Sequence, residues 1–269
     1  MVRPPPTLLI PLAAFLVYTT ITLHRLLSSP YPITTSPTAP TSLTTHPTLL
    51  SLINPLNLPA EFKTQAVRIP RPTAQDGSRP SNDHLLLRFT HGFFGGTVLA
   101  PERRILNLVR PTGRLRIAAL DDLPVAPKEI WTRDDLSTAH LPDLGTKLFG
   151  SWQVVDRFAP GPRFLRDTSR GAELGESYIT FAFGQDRGLF MGVLRFYVSE
   201  VPPESSGDRE DNREGSETAW VELRLCSMSI VTSENGLVRK SVKWLGGLHG
   251  IYAKLLFRDA IGEVFRNRV

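Results

Sequence analysis

Two arginines set inside strand-like apolar runs are the most informative polar residues of this chain. Arg195 interrupts Leu189 to Val198, and Arg224, with Glu222, interrupts Ala219 to Ile230. An unpaired charge on a core face is costly. Each must therefore reach solvent, pair across strands on the outer face, or point into a polar cavity. An inward Arg195 or Arg224 could hold an enolate, carboxylate or carbonyl oxygen, with Tyr197 and Tyr252 donating hydrogen bonds to the same ligand. His91 and His249, each beside glycines, have the side chain that titrates nearest neutrality and are the candidate general bases. The plainer reading of both is a surface or locally hydrogen-bonded imidazole.

Other chemistry is poorly represented. The six histidines are scattered, and no His-Glu-x-x-His, paired-cysteine site or nucleophile elbow occurs. Gly92-Phe-Phe-Gly-Gly96 has no Lys-Ser/Thr after it to grasp phosphate, so it reads as a tight turn. No metal and no cofactor is expected. The single cysteine, Cys226, excludes an intrachain disulfide, and its apolar, strand-like setting marks a buried, inert thiol.

The elements that must position these residues follow from pattern. Ser151–Phe158, Ser177–Phe183, Leu189–Ser199 and Ala219–Val231 are strand-length runs rich in aromatic and β-branched residues, separated by turn residues. His84–Phe89 also reads as a strand, leading into the glycine turn, and Thr97 to Val109 has helix-compatible spacing. In that helix, Glu102 beside Arg103 and Arg104 reads as a solvated face. Residues 112–150 are irregular. From Leu245 to Arg268 an amphipathic helix is expected. Leu248, Tyr252, Leu256 and Ala260 form its apolar stripe, widened by Ile251, Leu255 and Val264, with Lys254, Arg258, Glu263 and Arg266 over much of the rest. Consecutive strands followed by one long helix give an α+β fold, an antiparallel curved sheet on a carboxy-terminal helix.

The amino terminus places the chain. The first sixty residues contain no Asp or Glu, and Pro4 to Leu23 is free of charge, bracketed by Arg3 and Arg25. About twenty apolar residues cross a bilayer as a helix, so residues 1–27 read as a single-pass signal-anchor in the endomembrane system, with a cleaved secretory signal and a mitochondrial transit peptide as the competing readings. Arg25 balances Arg3, leaving the side of the globular domain undetermined. Residues 28–82, rich in Ser, Thr and Pro, read as an extended tether. Residues 83–269 then form the globular domain. The segment 200–217 carries seven acidic and two basic residues, so 201–218 reads as a mobile hairpin loop, and 235–269 carries seven basic and two acidic. A nucleic-acid function is disfavoured, because no binding motif organises the basic residues.

The order of strand, helical segment, antiparallel strands and long final helix resembles the START-like, helix-grip superfamily of polyketide cyclases and lipid-transfer domains. Glu176 to Ser199, Ala219 to Val231 and the helix from Leu245 to Arg268 carry the resemblance. It implies a sheet gripping the last helix around a cavity for a lipid, polyketide or terpenoid intermediate. Tyr197, Leu248, Tyr252 and Leu256 are the candidate ligand contacts. Three functions follow: a membrane-anchored binder of a small apolar ligand, a cyclase or isomerase of secondary metabolism on the same scaffold, or a non-enzymatic membrane assembly factor with a filled core. The bilayer is the expected partner in each, and protein partners are unknown. A lipocalin-like β-barrel is the alternative fold.

Overall fold

The computed structural model describes residues 30–44, 46, 51–73, 77–110, 120, 128–158, 176–184, 190–201, 219–232 and 236–266, with the side chains of 236–249 excepted. The expected signal-anchor (1–27), nearly all of the acidic loop (202–218), and the side chains of Leu248 and His249 lie outside them. Among the described residues no helix is long and apolar enough to cross a membrane.

The fold is α+β. Its elements are β1 (Thr34–Ser36), α1 (Thr41–Thr44), β2 (Ala60–Pro70), α2 (Asn82–Gly95), α3 (Ala100–Leu108), β3 (Glu129–Ile130), β4 (Lys147–Leu148), β5 (Trp152–Phe158), β6 (Ser177–Gly184), β7 (Phe190–Val201), β8 (Trp220–Val231) and α4 (Gly236–Phe265). They build one open eight-stranded sheet in the order β1-β2-β8-β7-β6-β5-β4-β3, antiparallel except for β3 on β4. An open sheet with two distinct edges replaces the barrel alternative. β5 to β8 form a meander at the expected positions, and near-continuous apolar runs give β6 and β7 two buried faces.

Two expectations are corrected by what covers those faces. His84–Phe89 is helical, part of α2. Ser81 caps that helix, its side chain accepting from the His84 amide at 3.3 Å. The helix is apolar nearly all round because it lies between the sheet and α4, and such a run cannot be told from a buried strand by periodicity. The glycine "turn" is its last turn. A Cβ on Gly92 would lie 2.6 Å from Glu263 Cβ and 2.8 Å from Ala260 Cα, so the glycine lets α2 and α4 touch.

The supposed tether is also partly folded. β1 and β2 are strands of the sheet, and Leu43 and Ile53 are buried under its opposite face with Met191, Val193, Met228 and Ile230. Those four apolar side chains need cover, and a Ser/Thr/Pro segment with a few well-spaced leucines and isoleucines supplies it.

Among the described residues, rings in mutual contact occupy the space between α2 and the sheet. Phe94 meets Phe181 at 4.8 Å, Trp152 at 5.5 Å and Phe196 at 5.9 Å, while Phe89 meets Phe196 at 5.2 Å and Phe257 of α4 at 5.5 Å. It is therefore α2, and not α4, that rests on β6 and β7; α4 packs chiefly along α2. Leu256, Ala260, Ile261 and Val264 form its buried stripe, whereas Ile251 is 62% exposed and Glu263 is buried. The stripe is turned from the expected one because the neighbour is a helix crossing at glycine rather than a broad sheet.

Candidate functional site

The polar candidates divide between the two faces of the sheet. On the face away from the helices, β5 to β8 bring Asp156, Thr180, Arg195 and Cys226 into one cross-strand row, with Tyr178, Tyr197 and Arg224 in the next. Asp156 reaches this row because a β-bulge sits between Val154 and Asp156. The extra residue switches the strand's facing, so Val154 points to the aromatic core while both Val155 and Asp156 turn the other way.

Arg195 is fully buried here. Its Nε donates to Thr180 Oγ1 at 2.6 Å, Nη1 to the Ser42 carbonyl at 3.2 Å, and Nη2 to Asp156 Oδ2 at 2.9 Å. The guanidinium lies 4.5 Å over the Tyr178 ring, a cation–π contact. Arg224 pairs through Nη2 with Glu176, lies 3.2 Å by Nε from Glu222 Oε1, and sits 5.1 Å over the Tyr197 ring. Tyr197 Oη bonds to Ser42 Oγ at 3.1 Å. The two arginines thus pair across strands on the outer face, and the amino-terminal segment buries one of them.

Titration follows burial. Burial, with Asp156 beside it, pushes the Tyr178 phenol up to about 12, and burial raises Tyr197 as well. Burial pushes the Cys226 thiol up to about 11, so it is a poor nucleophile at neutral pH.

The remaining candidates lie on the helix side. His91 Nδ1 is 3.6 Å from Glu263 Oε1, both side chains buried between α2 and α4, and Arg266 Nη1 donates to Glu263 Oε2 at 2.8 Å. Tyr252 Oη donates to Glu102 Oε2 at 2.7 Å, tying α4 to α3, so Glu102 is half-buried rather than solvated. Burial and that bond raise the Tyr252 phenol. Leu256 is core. Arg195, Arg224 and Tyr197 therefore come together, while His91, Tyr252 and Leu256 are separated from them by the sheet. Sequence reasoning missed Asp156, Tyr178, Glu176 and Ser42. Only Val154-Val155, two adjacent valines breaking the alternation, hinted at the bulge.

Among the described residues, no group of three His, Cys, Asp or Glu side chains could hold a metal ion. A cleft beside β3 and β4, lined by Lys128, Asp135 and His140 among others, has a volume of about 20 Å³, enough to hold a water. No protein-family model, curated protein or solved structure matches the chain.

Proposed function

We propose that this chain is a non-enzymatic, membrane-tethered assembly factor of the endomembrane system, acting through its outer surfaces. One observation carries the reading: the interior between the sheet and α2 is occupied by Phe89, Phe94, Phe181 and Phe196 in mutual ring contact. Ring contacts this close leave no room for a guest among them. The candidate catalytic groups support it too, since Arg195, Arg224 and His91 each face a carboxylate of the protein itself. Cross-linking of the full-length chain in its own membranes, followed by mass spectrometry, should yield a stoichiometric protein partner. A stoichiometric lipid or metabolite in native mass spectrometry, with no protein partner, would overturn the reading.

A second reading, a binder of a small ligand on the START-like plan, is favoured by a different observation. Gln65 of β2, 2% exposed, carries on the helix-covered face an Oε1 with no hydrogen-bond partner among the described residues. Lys63 from the same strand face reaches Gly250 of α4, where a Cβ would lie 2.9 Å from its Nζ. The order of strand, helical segment, antiparallel strands and final helix on which that resemblance rests is met only with β2 in place of His84–Phe89 as its strand, and with α2 rather than α4 resting on β6 and β7. A guest bearing a donor group and lying against Gln65, beside the filled part of the core, is the form of this reading that fits. A co-purified guest lost on Gln65→Leu would favour it over the first.

A further inference from the structure

Where the chain joins the domain constrains how the domain lies. Tyr31 stacks on Phe265 at the end of α4, with ring centroids 5.4 Å apart and planes within 8°. The chain between Leu27 and Tyr31 can therefore span at most about 14 Å. If residues 1–27 anchor the chain, the surface around Phe265 must lie close to the bilayer.

That surface continues along α4. At 3.6 residues per turn, Ile251, Lys254, Arg258, Gly262 and Phe265 fall within an arc of about 80°, over a length of about 20 Å. Ile251 is 62% exposed, and Lys254 and Gly262 are exposed as well. α3 flanks this strip, held by the Tyr252–Glu102 bond and by Asp259, which accepts from the Val98 amide at 2.8 Å. None of its residues is buried; Ile105 and Leu108, neighbours on one helix face, are 61% and 83% exposed beside the exposed Arg104. The carboxylates of α3 and of the described part of α4 face inward: Glu102 to Tyr252, Asp259 to the loop before α3, Glu263 to His91. What faces outward is apolar and cationic.

We infer that the outward strip of α4 together with α3, centred on Ile105, Leu108 and Ile251, lies on an anionic bilayer surface. Apolar side chains would enter the headgroup boundary while Arg104 and Lys254 meet lipid phosphates. The inference rests on the anchor reading of residues 1–27, and it fixes the orientation of the whole domain. It is tested with the full-length chain, whose own thiol is buried and raised in pKa. Leu108→Cys, Ile251→Cys and, as a control, Leu56→Cys (77% exposed, on the amino-terminal cover of the opposite face) each carry an environment-sensitive fluorophore. The proteins are reconstituted in phosphatidylcholine vesicles with and without phosphatidylglycerol, and a headgroup-nitroxide phospholipid serves as quencher.

Loss of fluorescence at positions 108 and 251 but not at 56, in the anionic vesicles and reduced by Arg104→Glu with Lys254→Glu, is the expected result. Chains that float with the vesicles yet show no quenching at either position, or equal quenching at 56, overturn the inference and leave the anchor standing. Chains that do not float at all overturn both.

Discussion

Asp156→Ala should be among the most damaging single changes in the domain. Arg195 has no exposed surface, and the substitution leaves its cation with the Thr180 hydroxyl, the Ser42 carbonyl and the Tyr178 ring but without a counter-charge. Removing one partner of a buried pair costs about 3–5 kcal/mol, a large part of the 5–15 kcal/mol by which domains are ordinarily stable (about that range). At about 2–4 °C per kcal/mol for a domain of this size, Tm should fall by roughly 10 °C. Circular dichroism melts of the full-length protein in detergent would measure it. Arg195→Met combined with Asp156→Leu removes both charges and fills the space, so the double variant should melt above Asp156→Ala. A loss of less than about 1 kcal/mol for Asp156→Ala, the ordinary size of an exposed pair, would refute the burial argument. So would a double variant whose loss equals the sum of its single changes.

Gly92→Ala should destabilise by about 1–3 kcal/mol because the added methyl forces α2 from α4. Gly262→Ala, with nothing within 4 Å, should instead gain up to about 1 kcal/mol from helix propensity; urea titration reads both. Phe94→Ala should cost about 3–5 kcal/mol and open a hollow that binds small apolar probes such as xenon, whereas an unchanged melt would mean the aromatic interior is not closed. Because the folded Cys226 thiol titrates near 11 and the unfolded one near its ordinary 9, the folded state keeps its proton longer. Its stabilising term is whole below pH 9 and fades as pH rises toward 11, by up to about 1.4 kcal/mol per pH unit. Cys226→Ala should remove that part of the alkaline slope in denaturation curves measured across this window.

The meander β5–β8 was legible because its strands are runs of aromatic and β-branched residues with turn signals between them. The final helix was legible in its second half from its 3.6-residue spacing, though the sequence pattern did not show that α4 begins at Gly236. α2 was hidden for a physical reason: a helix buried on two sides loses the polar face that would betray its period. Arg195 and Arg224 drew attention by type, since charges in apolar strands need an explanation. Apart from Glu222, two residues from Arg224 on its own strand, their partners were out of reach of local reasoning. Ser42 comes from a segment whose composition resembles a tether, and Asp156 faces Arg195 only through a bulge that shifts one strand by a residue. Glu263 lay on the polar side of the anticipated helix wheel, which assumed that a sheet rather than α2 would be the neighbour.

The pairing of β2 with β8, from Ala60 opposite Ile230 to Pro70 opposite Trp220, has a consequence for how the protein is made. β2 leaves the ribosome well before β8, its long partner strand among the described residues, and Tyr31 waits longer still for Phe265. Contacts so distant along the chain slow folding. A nascent chain stopped before β8 would hold β2 without its long partner, so closure of the sheet must wait until β8 has been made.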